Sequence, residues 1–337
     1  MPALLSTVRA QAPAVETLRR ALAGGRVHHA YLFDGPDGVG KERAALGLAQ
    51  ALVCERRSPG SSEACGVCRA CVRALVRPGE KATMHPDVVL LERGLYEPAT
   101  IGRRTPETQD ISIDQVRTLV LARASFPPHE GKARVFVVRR AEELSTSAAN
   151  ALLKTLEEPG ALTYFVLLSA TPDALLPTIR SRTLRVRFGP LPDSVVADLL
   201  CDEGIARQQA EAIAALAGGS MSTARALGDP EAAQERQEFV TRALAAIDAR
   251  ETADALGIAE DAKKIAKDTL IVRIQAFAAA LAAAGRRSAR EPHSKADVIA
   301  ARYSLALGAI TQIESNASVQ LAIESMFIKM RGLSAPS

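Results

Sequence analysis

Apolar runs of strand length alternate with stretches of helical period up to about residue 188. Residues 30–34 (AYLFD) lead into a glycine-rich turn, and 87–91 (DVVLL), 135–138 (VFVV) and 164–169 (YFVLLS) are continuous apolar runs. Such runs suit a parallel sheet buried on both faces. Leu184, Val186 and Phe188 alternate with Arg185 and Arg187, which predicts a fifth strand exposed on one side. Between these, residues 41–52 put Ala45, Leu48, Ala49 and Leu52 on one helical face. Residues 113–124 turn Val116, Leu119 and Val120 inward, and a helix capped by Ser145 or Thr146 runs through Leu156 until Pro159-Gly160 stops it. Residues 94–110, with two prolines and two glycines, read as an exposed loop. The alternation predicts an α/β sheet with right-handed crossovers.

After Pro190 the strand signals vanish. Residues 199–227 read as short helices broken at Gly218-Gly219, and the chain from Glu231 is Ala-rich and helical. Leu270, Ile274, Phe277 and Leu281 form an apolar stripe there, which 285–293 is expected to break as a solvated loop. The predicted division is 1–189, 190–230 and 231–337.

Composition fits this division. Of 337 residues 47% are hydrophobic, only 4% are aromatic and none is Trp, so the cores must be Ala, Leu, Val and Ile. Forty-two basic against 38 acidic residues give a net charge of +4, too mild to announce a nucleic-acid binder. No secretory pattern is visible, and the longest near-apolar run, 277–284, falls short of a membrane span. A cytoplasmic location with no membrane partner is expected. Four of the five cysteines lie within 18 residues, which favours metal over disulfides in such a chain. Cys201 stands alone and is expected to be a buried, inert thiol.

Three motifs carry candidate chemistry. Gly35, Gly38, Gly40 and Lys41 form a phosphate loop (GPDGVGK) between a strand and a helix. Backbone N–H groups of such a loop cradle phosphates and its lysine reaches the β/γ oxygens. The Ser or Thr that would ligate Mg²⁺ next to the lysine is replaced by Glu42. The third strand ends on Arg139-Arg140, where an NTPase carries carboxylates for its metal; Glu142 and Glu143 come later, at the start of the next loop. A guanidinium cannot ligate magnesium. A Mg²⁺ site is therefore expected to be absent and ATP or ADP binding is doubtful; a solvated arginine pair on a structural turn fits the same residues. Cys54, Cys65, Cys68 and Cys71, spaced C-x10-C-x2-C-x2-C, suit a structural Zn²⁺, with a turn at Gly66 and with Arg69 and Arg73 offsetting the thiolate charge. Zinc would contribute ~10–16 kcal/mol to ordering a segment with almost no apolar core. The alternative is four free thiols. Residues 178–183 (TIRSRT) precede the fifth strand; an arginine there is usually only solvated, and along an extended stretch Arg180 and Arg182 would face one side.

Together these residues resemble the bacterial clamp-loader branch of the AAA+ proteins, nearest to the delta-prime subunits of DNA polymerase III. The entry to the phosphate loop (HAYLFDGP, 29–36), the four-cysteine insertion, the helix SAANALLKTLEEP (147–159) and IRSRT (179–183, with Thr183 for the usual cysteine) carry the resemblance over about residues 5–190. A weaker likeness, NAxxQLAIE (316–324), lies near the C-terminus. The resemblance implies a RecA-like AAA+ domain with a zinc module (about 54–71), a small helical lid and an all-α collar. It also implies a hetero-pentamer with gamma/tau motor and delta subunits, acting on the sliding clamp and primer-template DNA within the polymerase III holoenzyme, a nucleotidyltransferase. In that family Arg182 is the arginine finger that enters a neighbour's ATP site. Motor subunits carry Thr after the lysine, an acidic pair after the third strand and a sensor arginine in the lid; here Glu42, Arg139-Arg140 and Ser222 stand in those places. The resemblance thus implies a non-hydrolysing stator without ATPase activity alone, the alternative being an active gamma/tau-like motor.

Overall fold

The computed structural model describes residues 5–77, 79–105, 110–130, 132–249, 251–265, 267–289, 295–314 and 317–333. They fall into two compact units. One runs to Asp202 and takes in Gly218–Ser222; the other comprises Glu203–Ala217 and the chain from Thr223.

The first unit is built on five parallel strands: β1 (Ala30–Asp34), β2 (Val88–Leu91), β3 (Arg134–Val138), β4 (Thr163–Ser169) and β5 (Leu184–Arg187). Their order is β2-β3-β4-β1-β5. Leu32 of β1 is in register with Leu167 of β4 and with Arg185 of β5, and Val137 of β3 with Val166. Every residue of β2 and β3 is buried, as the unbroken apolar runs require. At the edge, β5 buries Val186 and exposes Leu184 and the two arginines.

Helices α1 (Ala12–Ala23), α2 (Lys41–Val53) and α3 (Arg69–Arg73) precede β2. A fourth, α4, is a continuous helix in three parts: Ile113–Gln115, a π-helical Val116–Leu121, and Ala122–Ala124. Ser112 caps it by accepting from the Gln115 N–H. Val116, Leu119 and Val120 do face inward, but the π register was not signalled by the apolar spacing. Helix α5 (Thr146–Glu157) is capped by Ser145, whose hydroxyl accepts from the Ala148 N–H at 3.2 Å. Leu152 and Leu156 of α5 share one core with Leu32, Leu167 and the stacked rings of Phe136 and Phe165. Each such fully buried side chain contributes about 1.5–3 kcal/mol. The loop after β2 is partly anchored: Tyr96 Oη donates to Leu90 O and Ile101 is buried. Residues 106–109 of that loop lie outside the described residues. A one-turn α6 (Pro177–Arg180) precedes β5, and α7 (Asp193–Asp202) follows it.

The second unit is helical: α8 (Arg207–Ala214), α9 (Met221–Gly228, which enters from the first unit), α10 (Pro230–Asp248), α11 (Ala253–Ala262), α12 (Lys267–Ser288), α13 (Ala296–Glu314) and α14 (Val319–Arg331). Helix α12 is long and apolar enough to cross a membrane by length and composition, yet Leu270, Ile274, Phe277 and Leu281 are buried among helices as the core of this unit. The expected break at Gly285 does not occur. The helix continues to Ser288, and a Cβ at position 285 would press on Ile299 Cγ2 at 3.3 Å, so the glycine serves close helix packing. Residues 290–293 of the expected loop, and Asn316 of the C-terminal likeness, lie outside the described residues. Cys201 is half-buried rather than buried.

Candidate functional site

The phosphate loop begins where β1 ends. Gly35 has φ +152°, and a Cβ there would lie 2.1 Å from Phe188 O; Gly38 has φ +74°, and its Cβ would lie 2.3 Å from Ser222 N. No other residue fits at either position. Gly40, also left-handed, is the N-cap of α2. Ser222 thus lies against the loop, and the Met221 N–H donates to Gly38 O at 3.3 Å. Lys41 is buried and curls into the loop: Nζ donates to Gly35 O, to Pro36 O at 2.7 Å and to Asp37 Oδ1 at 3.3 Å. Burial lowers its pKa, opposed by Asp37, Glu142 and Asp34. Sheet order and loop together make a RecA-like P-loop domain.

Glu42, next to the loop lysine, and Arg139, after the third strand, meet each other. Arg139 Nη2 donates to Glu42 Oε1, and Nη1 donates to Glu92 Oε2 at 2.7 Å. Burial disfavours the guanidinium charge, but Glu42 and Glu92 outweigh it and raise its pKa further. Arg140 adopts φ +46° and pairs with Glu143 at 3.5 Å and with Asp37 at 3.9 Å. Glu142 does start the following turn, but its side chain is not solvated: Oε1 accepts from the Ala170 N–H at 3.2 Å, and Oε2 is buried without a hydrogen-bond partner among the described residues. It is the carboxylate that the sequence reading left out of the loop's surroundings.

The four cysteines converge. Cys54 ends α2, Cys68 is the N-cap of α3, Cys71 lies within α3, and Gly66 takes φ +73° in the turn between. All four sulfurs lie within 4.8 Å of one another, with Cys54–Cys68 at 4.0 Å and Cys65–Cys71 at 3.9 Å. Tetrahedral zinc with Zn–S near 2.3 Å requires sulfurs about 3.8 Å apart, so the set fits the ion. The Cys68 N–H donates to Cys65 Sγ at 3.3 Å and the Cys65 N–H to Cys54 Sγ at 3.4 Å. Burial opposes ionisation of Cys65, but N–H groups of Val67 and Cys68 bring it down to about 6. Burial pushes Cys71 up. The module is tied to the sheet domain by Gln50 Nε2 donating to Cys71 O and by Lys132 Nζ donating to Cys54 O and Glu55 O. Arg73 pairs with Glu130 at 2.5 Å and donates to Met84 O.

Arg182 sits at the amino end of β5, on the opposite edge of the sheet from the phosphate loop. Its guanidinium is held by Glu157 at the end of α5. Arg180 diverges from it, because 177–180 is a helical turn rather than an extended stretch, and pairs with Asp173 at 2.5 Å. A further network escaped the sequence reading: Asp87, fully buried, accepts from the N–H groups of His129 and Glu130, both at 2.7 Å, and from Arg134 at 3.0 Å. Its only signal was a charge at the start of each of two apolar runs.

The family described as DNA polymerase III, delta subunit, matches residues 10–192 of the chain. DNA polymerase III subunit delta' of Pseudomonas aeruginosa is 37% identical over 224 residues, 64% of this chain and 61% of that protein. The subunit delta' of Escherichia coli is 34% identical over 234 residues, 69% of this chain and 64% of that one. A gamma/tau subunit of Mycobacterium bovis is 35% identical over 199 residues, 59% of this chain and 31% of that one. The chain thus spans less than two thirds of the length of each of these relatives. Among solved structures, a gamma subunit-related protein of Thermotoga maritima superposes with a TM-score of 0.44 at 17% identity, covering 94% of this chain and 98% of that one. With the match extending over more than half of its 337 residues, the chain belongs to the DNA polymerase III delta-subunit family and is a delta-prime-like member of it.

Proposed function

We propose that the chain is a non-hydrolysing clamp-loader subunit, a stator that lends Arg182 to ATP held by a neighbouring gamma/tau-type motor subunit. In this reading a hetero-pentamer with delta and motor subunits opens a sliding clamp and closes it on primer-template DNA in the cytoplasm. The carrying observation is the ion pair between Glu42 and Arg139. A P-loop hydrolase needs both positions to hold Mg²⁺. Here they neutralise each other, and a divalent cation would meet a guanidinium instead of a carboxylate. Cys54, Cys65, Cys68 and Cys71 hold one structural zinc in this proposal, with no catalytic part because four sulfurs leave no open position. The division into a 1–189 AAA+ domain, a 190–230 lid and a 231–337 collar belongs to the same proposal.

The second reading, an active gamma/tau-like motor, is favoured by the similarity to the Mycobacterium gamma/tau subunit. Reconstitution with motor and delta subunits separates the two. Arg182→Ala should leave assembly intact and abolish hydrolysis at one site, since a finger in trans contributes ~10³–10⁵ in rate. Unchanged ATP hydrolysis and clamp loading at limiting ATP would refute the trans role. ATP turnover by the isolated chain that Lys41→Ala abolishes would establish the motor reading instead.

A further inference from the structure

Arg182 is engaged with its own chain through all three guanidinium nitrogens. Nε donates to Glu157 Oε1 at 2.7 Å, Nη2 pairs with the same oxygen, and Nη1 donates to Thr178 O at 2.9 Å and to Ser181 Oγ at 3.3 Å. The edge formed by Nε and Nη2 is the one a guanidinium offers to a bidentate anion. A single carboxylate oxygen occupies it, while Nη1 is held separately by backbone and hydroxyl. Releasing Glu157 would therefore free that edge and leave a pivot at Nη1.

Glu157 serves its own helix poorly. It is the last residue of α5, with Glu158 next to it, at the end where exposed carbonyls already make the potential negative. Its place makes sense if its purpose is the cation it holds. The last turn is fixed from the other side, because His29 Nε2 meets Leu156 O at 2.9 Å. Burial, followed by the neighbouring His28, lowers the His29 pKa, so a neutral ring donates from Nε2. A cavity of about 420 Å³ opens beside the pair, bounded by His28, His29, Glu157, Ser181, Arg182 and Thr183. The side chains of Arg182 and Glu157 are 33% and 47% exposed, so the pair is solvent-screened and exchangeable.

We propose that Glu157 is a latch on Arg182: it keeps the guanidinium on its own chain until the terminal phosphate of a nucleoside triphosphate on the neighbouring subunit displaces the carboxylate. The proposal rests on the trans-acting role of Arg182 put forward above. Glu157 is then a positioning residue that taxes engagement, since only the unlatched fraction is competent to bind.

The test uses the full assembled loader. Glu157→Gln keeps the side chain's size and removes its charge. It should lower the KM for ATP and raise hydrolysis without clamp and DNA by about two- to fivefold, the range a screened surface pair permits, and leave kcat with both saturating unchanged. Arg182→Ala with Glu157→Gln should behave as Arg182→Ala alone. If Arg182→Ala itself changes nothing, the finger reading falls and the latch falls with it. If Arg182→Ala lowers hydrolysis but Glu157→Gln leaves the KM unchanged, or lowers kcat, the finger stands and the latch is overturned.

Discussion

Replacing Asp87 by Asn should destabilise the sheet unit severely although it touches neither the phosphate loop nor the cysteines. Asp87 Oδ1 accepts from the His129 N–H at 2.7 Å and from Arg134 Nε and Nη2 at 3.3 and 3.0 Å; Oδ2 accepts from the Glu130 N–H at 2.7 Å. An asparagine can reproduce one oxygen only, and its amide would then face the Glu130 N–H donor to donor. The side chains of Arg134 and Asp87 are 7% and 1% exposed, so solvent does not replace the lost partner. Removing one member of a buried ion pair costs about 3–5 kcal/mol. Arg134 also donates to Arg123 O, Phe126 O and Pro127 O, acceptors that remain and place the cost near the lower end, about 3 kcal/mol. For a unit of this size that is a fall in Tm of roughly 6–12 °C. Burial acts to raise the Asp87 pKa, but the N–H groups of Glu130 and His129 and the Arg134 charge outweigh it and hold it below the ordinary 3.8. With the folded value depressed, the stabilisation is complete above about pH 4 and drains away as pH falls through the folded pKa. Urea denaturation of both proteins at pH 7 and at decreasing pH measures this: the gap should be widest at pH 7 and close in acid. A difference within about 1 kcal/mol at pH 7 would refute the assignment.

Other outcomes follow from the sites. Protein purified without chelator should carry one zinc per chain by elemental analysis, with less than half an equivalent counting against it, and Cys68→Ser should lose the metal while the sheet unit keeps its circular dichroism. The isolated chain should show no ATP turnover approaching the ~1 s⁻¹ of ordinary enzymes, with Lys41→Ala separating intrinsic activity from contamination. Arg180→Ala, which breaks only the Asp173 pair on the far side of the turn, should leave hydrolysis by the assembled loader within about twofold of wild type.

The features legible in the sequence are those whose cause is local. The apolar runs became strands because a strand buried on both faces needs nothing but apolar side chains, and Ser145 caps α5 because its hydroxyl meets an N–H three residues on. The glycines of the loop and the four cysteines were readable because their chemistry demands those residue types at those spacings. What escaped depends on contacts distant in sequence. Nothing near Asp87 announces Arg134, 47 residues away, and nothing near Glu157 announces Arg182, 25 residues away. The Gly285 error has the same origin: a glycine that looks like a helix breaker from its neighbours is a packing notch for Ile299.

The placement of the two half-sites on the sheet gives the proposed role its logic. In a parallel sheet every strand begins on one edge and ends on the other. The phosphate loop follows the carboxyl end of β1, whereas Arg182 precedes the amino end of β5, its hydrogen-bonded neighbour. A chain so built does not bring its own Arg182 to its own loop, which is what the proposed action across a boundary between subunits requires. Contacts that join opposite edges of successive copies are heterologous and generate rings or filaments rather than two-fold dimers. An assembly of this chain alone would place each Arg182 beside a loop whose Glu42 and Arg139 have cancelled one another, and would be silent. The arginine has a use only if the next subunit carries an intact site, which makes a hetero-oligomer with a defined order a requirement of the proposal. In that proposal the chain takes a position where a subunit completes a neighbour's site without needing one of its own.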